Sequence, residues 1–144
     1  MKILAVLLLM LALPAPVAAQ DELSAADRSC LDEASSNRGF ARCSQSIIDS
    51  EDARLNAVWR LTLASLGGSA SERGGLLLDE QRAWIAFREA ACQHWLVPGS
   101  GREAQVLHGP LCIAGVIKDR ADELVATYAS LSPDNAARIG TLAP

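Results

Sequence analysis

Residues 79–92 read Asp79-Glu80-Gln81-Arg82-Ala83-Trp84-Ile85-Ala86-Phe87-Arg88-Glu89-Ala90-Ala91-Cys92, or DEQRAWIAFREAAC. Placed on a helical wheel at about 100° per residue, Leu77, Leu78, Trp84, Ile85, Ala91, Cys92 and Trp95 share one broad apolar arc. Gln81 and Arg88 fall in the middle of that arc. The stretch therefore reads as a core-facing helix that points two polar side chains inward. Alternation of the strand type never persists elsewhere in the chain, and Val, Ile and Thr sit at helical spacing, so the expected class is all-α.

Working outward, Ser24 suits the N-cap of a first helix reaching about Ser35, and the SSNRG run from Ser35 to Gly39 turns the chain. A second, longer helix places Ile48, Leu55, Val58, Trp59, Thr62 and Leu66 on one face. It ends at Gly67-Gly68, a pair suited to the left-handed position that follows a helix. The third helix is expected from about Ser71, with a weak start at Gly74-Gly75, to Val97, where Pro98-Gly99-Ser100-Gly101 stops it. Trp95, beside Leu77 and Trp84 on the wheel, is expected in the core. Residues Pro98 to Pro110 read as a loop with a short helical turn around Glu103 to Leu107. A fourth helix shows Ile113, Val116, Ile117, Leu124, Tyr128 and Leu131 on one side, and residues 132–144 read as a frayed tail.

The fourth helix repeats the oddity of the third, because Arg120 lies inside its apolar arc. A guanidinium cannot shed its charge on burial and must find an acid, a carbonyl or trapped water. Glu51 and Asp52 flank the apolar stripe of the second helix. The expectation is one partly buried polar network of Gln81, Arg88 and Arg120 with Asp52 or Glu51, fixing the register of the helices. No nucleophile or proton shuttle accompanies these residues, so the network reads as structural.

The chain opens MKILAVLLLMLALPAPVAAQDE, with Lys2 before an apolar run from Ile3 to Leu13 and small residues at Val17, Ala18 and Ala19. That is the pattern of a secretory signal peptide over residues 1–19, cleaved after Ala19, and the run is shorter than the ~20 residues a membrane span needs. No Cys follows it before Cys30, so no lipid anchor is written there. The expectation is one soluble domain over residues 20–131, periplasmic or secreted. With 13 Lys and Arg against 17 Asp and Glu the net charge is −4, and loss of Lys2 makes it more acidic. Such a balance argues against nucleic acid and favours basic partners.

Four Cys in an exported chain read as two disulfides, since Cys30, Cys43, Cys92 and Cys112 offer no spacing of a metal site. Three connectivities are possible. Local pairing, Cys30 with Cys43 and Cys92 with Cys112, is expected because each pair brackets a turn.

Leu55-Asn56-Ala57-Val58-Trp59, then Leu77-Leu78 leading into Gln81-Arg82-Ala83-Trp84-Ile85-Ala86-Phe87-Arg88-Glu89-Ala90-Ala91-Cys92, then Cys112 with Arg120 and Leu124, resembles the lysozyme inhibitor LprI family. Cys30 and Cys43 sit where that family carries its first two Cys. Trp59 stands where the family usually has Tyr, and Ile117 where a Thr is common. The resemblance implies a small exported helical domain with paired Cys and, by the family's name, inhibition of lysozyme, an activity of some members. The motif consists mostly of packing residues and Cys, so it speaks for fold more than for function.

Other chemistry finds little support. His94 and His108 would need a third ligand such as Glu89 or Glu103 to hold a metal, and no GxSxG or SxxK motif offers a nucleophile. Neighbouring carboxylates such as Glu51-Asp52 or Asp79-Glu80 point in different directions on a helix. No cofactor, metal or catalytic role is assigned. The sequence is read as a binding protein, not an enzyme, with lysozyme or another basic cell-wall hydrolase as partner. The alternative is a structural or adaptor protein of the bacterial envelope. The Pro98 to Pro110 segment, closed by Cys92 and Cys112 and taken as free of core duties, is the expected contact surface, with Glu103 and His108 as its candidate residues.

Overall fold

A computed structural model describes residues 23–139. They form α1 Ala25–Glu33, α2 Asn37–Ser65, α3 Glu72–Ala91, α4 Gln93–Leu96, α5 Gly101–Glu103, a π-helical turn Ala104–His108, α6 Gly109–Leu131 and α7 Pro133–Arg138. The described residues contain no strand, and both disulfides pair locally, Cys30 with Cys43 and Cys92 with Cys112. The expected signal segment and the last residues of the tail lie outside the described residues.

α1, α2 and α3 each start where a hydroxyl can stand in for a missing helical acceptor. Ser24 Oγ accepts from the Asp27 N–H, Ser36 Oγ from Gly39 and Ser71 Oγ from Gly74. The turn between α2 and α3 depends on glycine twice. Gly67 and Gly68 hold φ of 92° and 79°, and their N–H groups close on the Ala64 and Leu63 carbonyls. Gly74, one turn into α3, lies so close to this turn that an added Cβ would stand 2.0 Å from the Gly68 carbonyl oxygen.

The core is built on α2 against α6. Along α6, Ala114, Ile117, Ala121, Leu124 and Tyr128 are buried at alternating steps of three and four. Ile117, Ala121, Leu124 and Tyr128 form one cluster with Leu55 and Val58 of α2, and the Thr62 hydroxyl lies 3.4 Å from the Leu124 carbonyl. Ala121 and Ser44 are completely buried. The buried hydroxyls are satisfied, Thr62 Oγ1 donating to Val58 O at 2.9 Å and Ser44 Oγ to Val106 O at 3.2 Å. The second bond has a covalent cause. Pro110 has no N–H to return to the carbonyl four residues back, and that carbonyl belongs to Val106.

α3 covers one side of this pair and contributes Leu77 to the buried cluster, with Trp84 half-buried beside it. α1 buries no residue, and the Cys30–Cys43 disulfide ties it to α2.

Three expectations need correction. α3 ends at Ala91, not Val97, with Cys92 as its cap, so residues beyond Cys92 leave the wheel. Trp95 accordingly stands 36% exposed, and Ile85, at the edge of the predicted arc, 39%. The segment from Pro98 to Pro110 is largely helical, since α5 and the π turn run directly into α6, and Ala104 and Val106 are buried. It has core duties after all. The start of the presumed frayed tail is the helix α7. Ser132 Oγ caps it by accepting from the Asn135 N–H, and Asn135 Nδ2 reaches back to Tyr128 O at 3.1 Å, while Ile139 packs against the core.

Candidate functional site

The inward-facing polar residues do meet partners, but as separate groups instead of one network. Arg120 is 3% exposed. Its Nε donates to Gln81 Oε1 at 3.0 Å and its Nη1 to Glu80 at 2.5 Å and Glu123 at 2.7 Å. Nη2 is buried without a hydrogen-bond partner among the described residues. α3 and α6 are thus pinned to each other by a buried guanidinium held from both sides.

Arg88 lies elsewhere. Its Nη1 is 3.7 Å from Asp52 on α2, and its guanidinium stands over the Trp84 ring at 5.4 Å from the centroid. Glu51 joins neither Arg88 nor Arg120 but Arg54 at 3.5 Å, and Arg54 in turn pairs with Asp122 on α6. Lys118 also donates to Asp122, at 2.9 Å. Burial is the largest single influence on Asp122 and pushes its carboxyl up. The hydrogen bonds and charges of Arg54 and Lys118 together outweigh burial and hold the group below the ordinary carboxylate value.

Next to Arg88 the surface opens into a groove of about 440 Å³, within the ~300–1,000 Å³ of ordinary ligand clefts. One wall is α2, with Ile48, Asp49 and Asp52; the other is α3 and α4, with Arg88, Glu89, Gln93 and Leu96. Ile113 and Ile117 of α6, together with Cys92, form the apolar base. Asp49 accepts from Gln45 Nε2 at 2.8 Å, which fixes its carboxylate, and Gln93 Nε2 donates to Glu89 O at 2.8 Å.

The sequence model of the family described as lysozyme inhibitor LprI matches residues 30–124. The chain belongs to the lysozyme inhibitor LprI family. Comparisons with curated proteins and with solved structures found no match.

The LprI match begins at Cys30 and ends at Leu124. It takes in both disulfides, α2, α3 and most of α6, and leaves out α7. Within the QRAWIAFREAAC stretch of the LprI match, Gln81 serves Arg120, Trp84 carries Arg88, and Cys92 closes the second disulfide. Arg88, Glu89 and Cys92 also line the groove. Glu103 and His108 sit at either end of the π turn, 3.5 Å apart across an exposed pair, and the His108 ring stacks on Trp95, whose other neighbour is His94. Neither Glu103 nor His108 lines the groove. Among the described residues no three His, Cys, Asp or Glu side chains gather as a metal ion requires, and no helix is long and apolar enough to cross a membrane.

Reading the sequence missed Glu80 and Glu123 as partners of Arg120, and missed Asp49 as a groove residue. Two of these had a signal. Glu123 follows Arg120 by one helical turn, and Asp49 precedes Asp52 by three positions on the same helix. Arg54 and Asp122 are brought together only by the packing of α2 on α6, which no local spacing announces.

Proposed function

We propose that this protein is exported and inhibits lysozyme by binding it as a folded, disulfide-stapled helical body that blocks access of the enzyme to cell-wall substrate. The observation that carries this reading is the LprI match, which spans the disulfide-closed core from Cys30 to Leu124. Physical support comes from charge. A net charge of −4 steers a basic hydrolase toward this surface and raises the rate of encounter. No step of the reading asks the chain for catalysis, metal or cofactor.

The test is lysozyme activity on cell-wall substrate, with the oxidised protein titrated in at low and at moderate salt. Dose-dependent inhibition is expected. It should weaken as salt rises, because charges more than about 10 Å apart are largely screened at 0.1 M ionic strength. Failure to inhibit any lysozyme class at micromolar protein would overturn the reading and favour an adaptor of the bacterial envelope.

A further inference from the structure

We infer that the groove between α2, α3 and α6 receives a lysine or arginine side chain of the protein partner. The base is apolar, made by Ile113, Ile117 and Cys92 with Ile48 on the wall beside it, and suits the methylene stem of a long cationic side chain. The rim supplies what the head of such a side chain needs. Asp49, Asp52 and Glu89 stand there against a single cation, Arg88.

The balance of charge points the same way. Arg88, the cation of the rim, already stands 3.7 Å from Asp52 and over the Trp84 ring, and Gln93 Nε2 donates to the Glu89 carbonyl. Two carboxylates remain for an incoming cation. Glu89 has no cation beside its carboxylate among the described residues, and Asp49 is held in place only by the neutral Gln45 amide. A phosphate or an acidic peptide would meet like charge here, and a purely apolar segment would strand the carboxylates without donors. A guanidinium or ammonium group suits the carboxylates of either wall.

The site is also preformed. The base residue Cys92 is bonded to Cys112 on α6, so the end of α3 and the start of α6 cannot drift apart at the groove, which limits the ordering needed on binding. The inference takes the identity of the partner from the inhibitor reading, but the chemistry of the groove stands apart from it.

Two measurements on the oxidised protein separate the two ideas. In the first, amide chemical shifts are followed while N-acetyl-arginine amide is added in the millimolar range, with the uncharged N-acetyl-citrulline amide as control. Shifts should cluster at residues 48–52, 89–96 and 113–117 for the arginine compound, and should fall to the citrulline level in the Asp49→Asn, Glu89→Gln double variant. Both substitutions keep side-chain shape and lie on exposed positions, so the fold is retained. In the second, lysozyme affinity is measured. The double variant should bind about tenfold more weakly, as expected for loss of close charge pairs. A control that removes two charges from α1, Asp32→Asn with Glu33→Gln, should stay within about threefold, as expected for screened long-range steering. Shifts scattered over the whole surface, or equal lysozyme binding by the wild type and the groove variant, would overturn the inference. Equal binding would do so while leaving the inhibitor reading in place. Arginine shifts confined to the groove without any lysozyme binding would support the groove and count against lysozyme as the partner.

Discussion

Arg120 offers an asymmetry that thermal unfolding can read. Its side chain is 2% exposed, while those of its two carboxylate partners, Glu80 and Glu123, are 53% and 60% exposed. Replacing both acids by Gln keeps their shape and an acceptor oxygen but leaves a buried cation with only neutral partners. Hydrogen bonds to charged groups are worth ~1.5–3 kcal/mol and neutral ones ~0.5–1.5, so the double substitution gives up roughly 1 kcal/mol per bond, or about 2 kcal/mol in total. The ~3–5 kcal/mol known for breaking fully buried pairs is too high here, because water still reaches both carboxylates.

Arg120→Met acts differently. It removes the desolvated charge and the unpartnered Nη2 together, replaces the stem of the arginine with an apolar flexible chain, and leaves Glu80 and Glu123 in solvent and Gln81 half-buried. Its cost should stay within about 1 kcal/mol. At ~4 °C per kcal/mol for a domain of this size, Glu80→Gln with Glu123→Gln should lower Tm by about 8 °C, against less than half of that for Arg120→Met. The triple variant should resemble Arg120→Met alone. If Arg120→Met were the more damaging change by more than about 2 kcal/mol, beyond the usual scatter of such contributions, the guanidinium would be a net stabiliser and the reasoning from desolvation would fail.

Gly74→Ala should destabilise the protein by about 2 kcal/mol, despite the ~1 kcal/mol that Ala gains in helix propensity, because the new Cβ meets a backbone oxygen that cannot rotate away; the urea midpoint reports this. Replacing Cys30 and Cys43 by Ser opens a closure of 13 residues, worth about 3 kcal/mol where both ends fold together. Since α1 buries nothing, the loss should appear as collapse of hydrogen-exchange protection in α1, with the core of α2 and α6 little changed. Asp122 gives a pH dependence of known sign. Its folded-state pKa lies below the unfolded value, so the stability it contributes is complete above about pH 4 and is lost as pH falls through the lower, folded value. Asp122→Asn should therefore be less stable at neutral pH and show a flatter decline on acidification below about pH 4, measured by denaturant unfolding across pH.

What could be read beforehand follows from what packing leaves in a sequence. The apolar stripes of α2 and α6 were legible because one helix buries one face along its whole length, so Leu55, Val58 and Thr62, and Ile117, Leu124 and Tyr128, recur at helical spacing. Arg120 was legible for the same reason, as a charge set in a stripe that is otherwise apolar. Trp95 was misplaced because the wheel was continued past Cys92, where the backbone departs from the helix at φ −107° and ψ 8°. The segment before α6 was misread from its Gly and Pro. Gly99 and Gly101, at φ 95° and 84°, do turn the chain, but Gly109 and Pro110 sit inside continuous helix, where the π turn and Ser44 absorb the missing N–H. Leu76 and Phe87, 67% and 57% exposed, are apolar in sequence but fall outside the wheel arc of Leu77 and Trp84, and helical spacing sets them apart.

The early end of α3 is also what makes the groove. Were the helix to run on to Val97, Gln93 and Leu96 would continue along its axis, and the space over Ile113 would stay open at one end. Instead Cys92 caps α3 and is bonded to Cys112, and the chain folds back until Leu96 lies against the start of α6. The approach is so close that a Cβ on Gly109 would stand 2.7 Å from Leu96 Cδ2. The disulfide thus closes the groove as well as stapling the fold, and its sulfur-bearing residue forms part of the base. This bears on how the family motif is weighed. Read as sequence, QRAWIAFREAAC speaks for helix packing, since Gln81, Trp84 and Cys92 turn inward. In the folded chain Arg88, Glu89 and Cys92, three residues of that same stretch, line the groove. Packing and groove thus share Cys92, which caps α3, closes the disulfide and forms part of the groove's base.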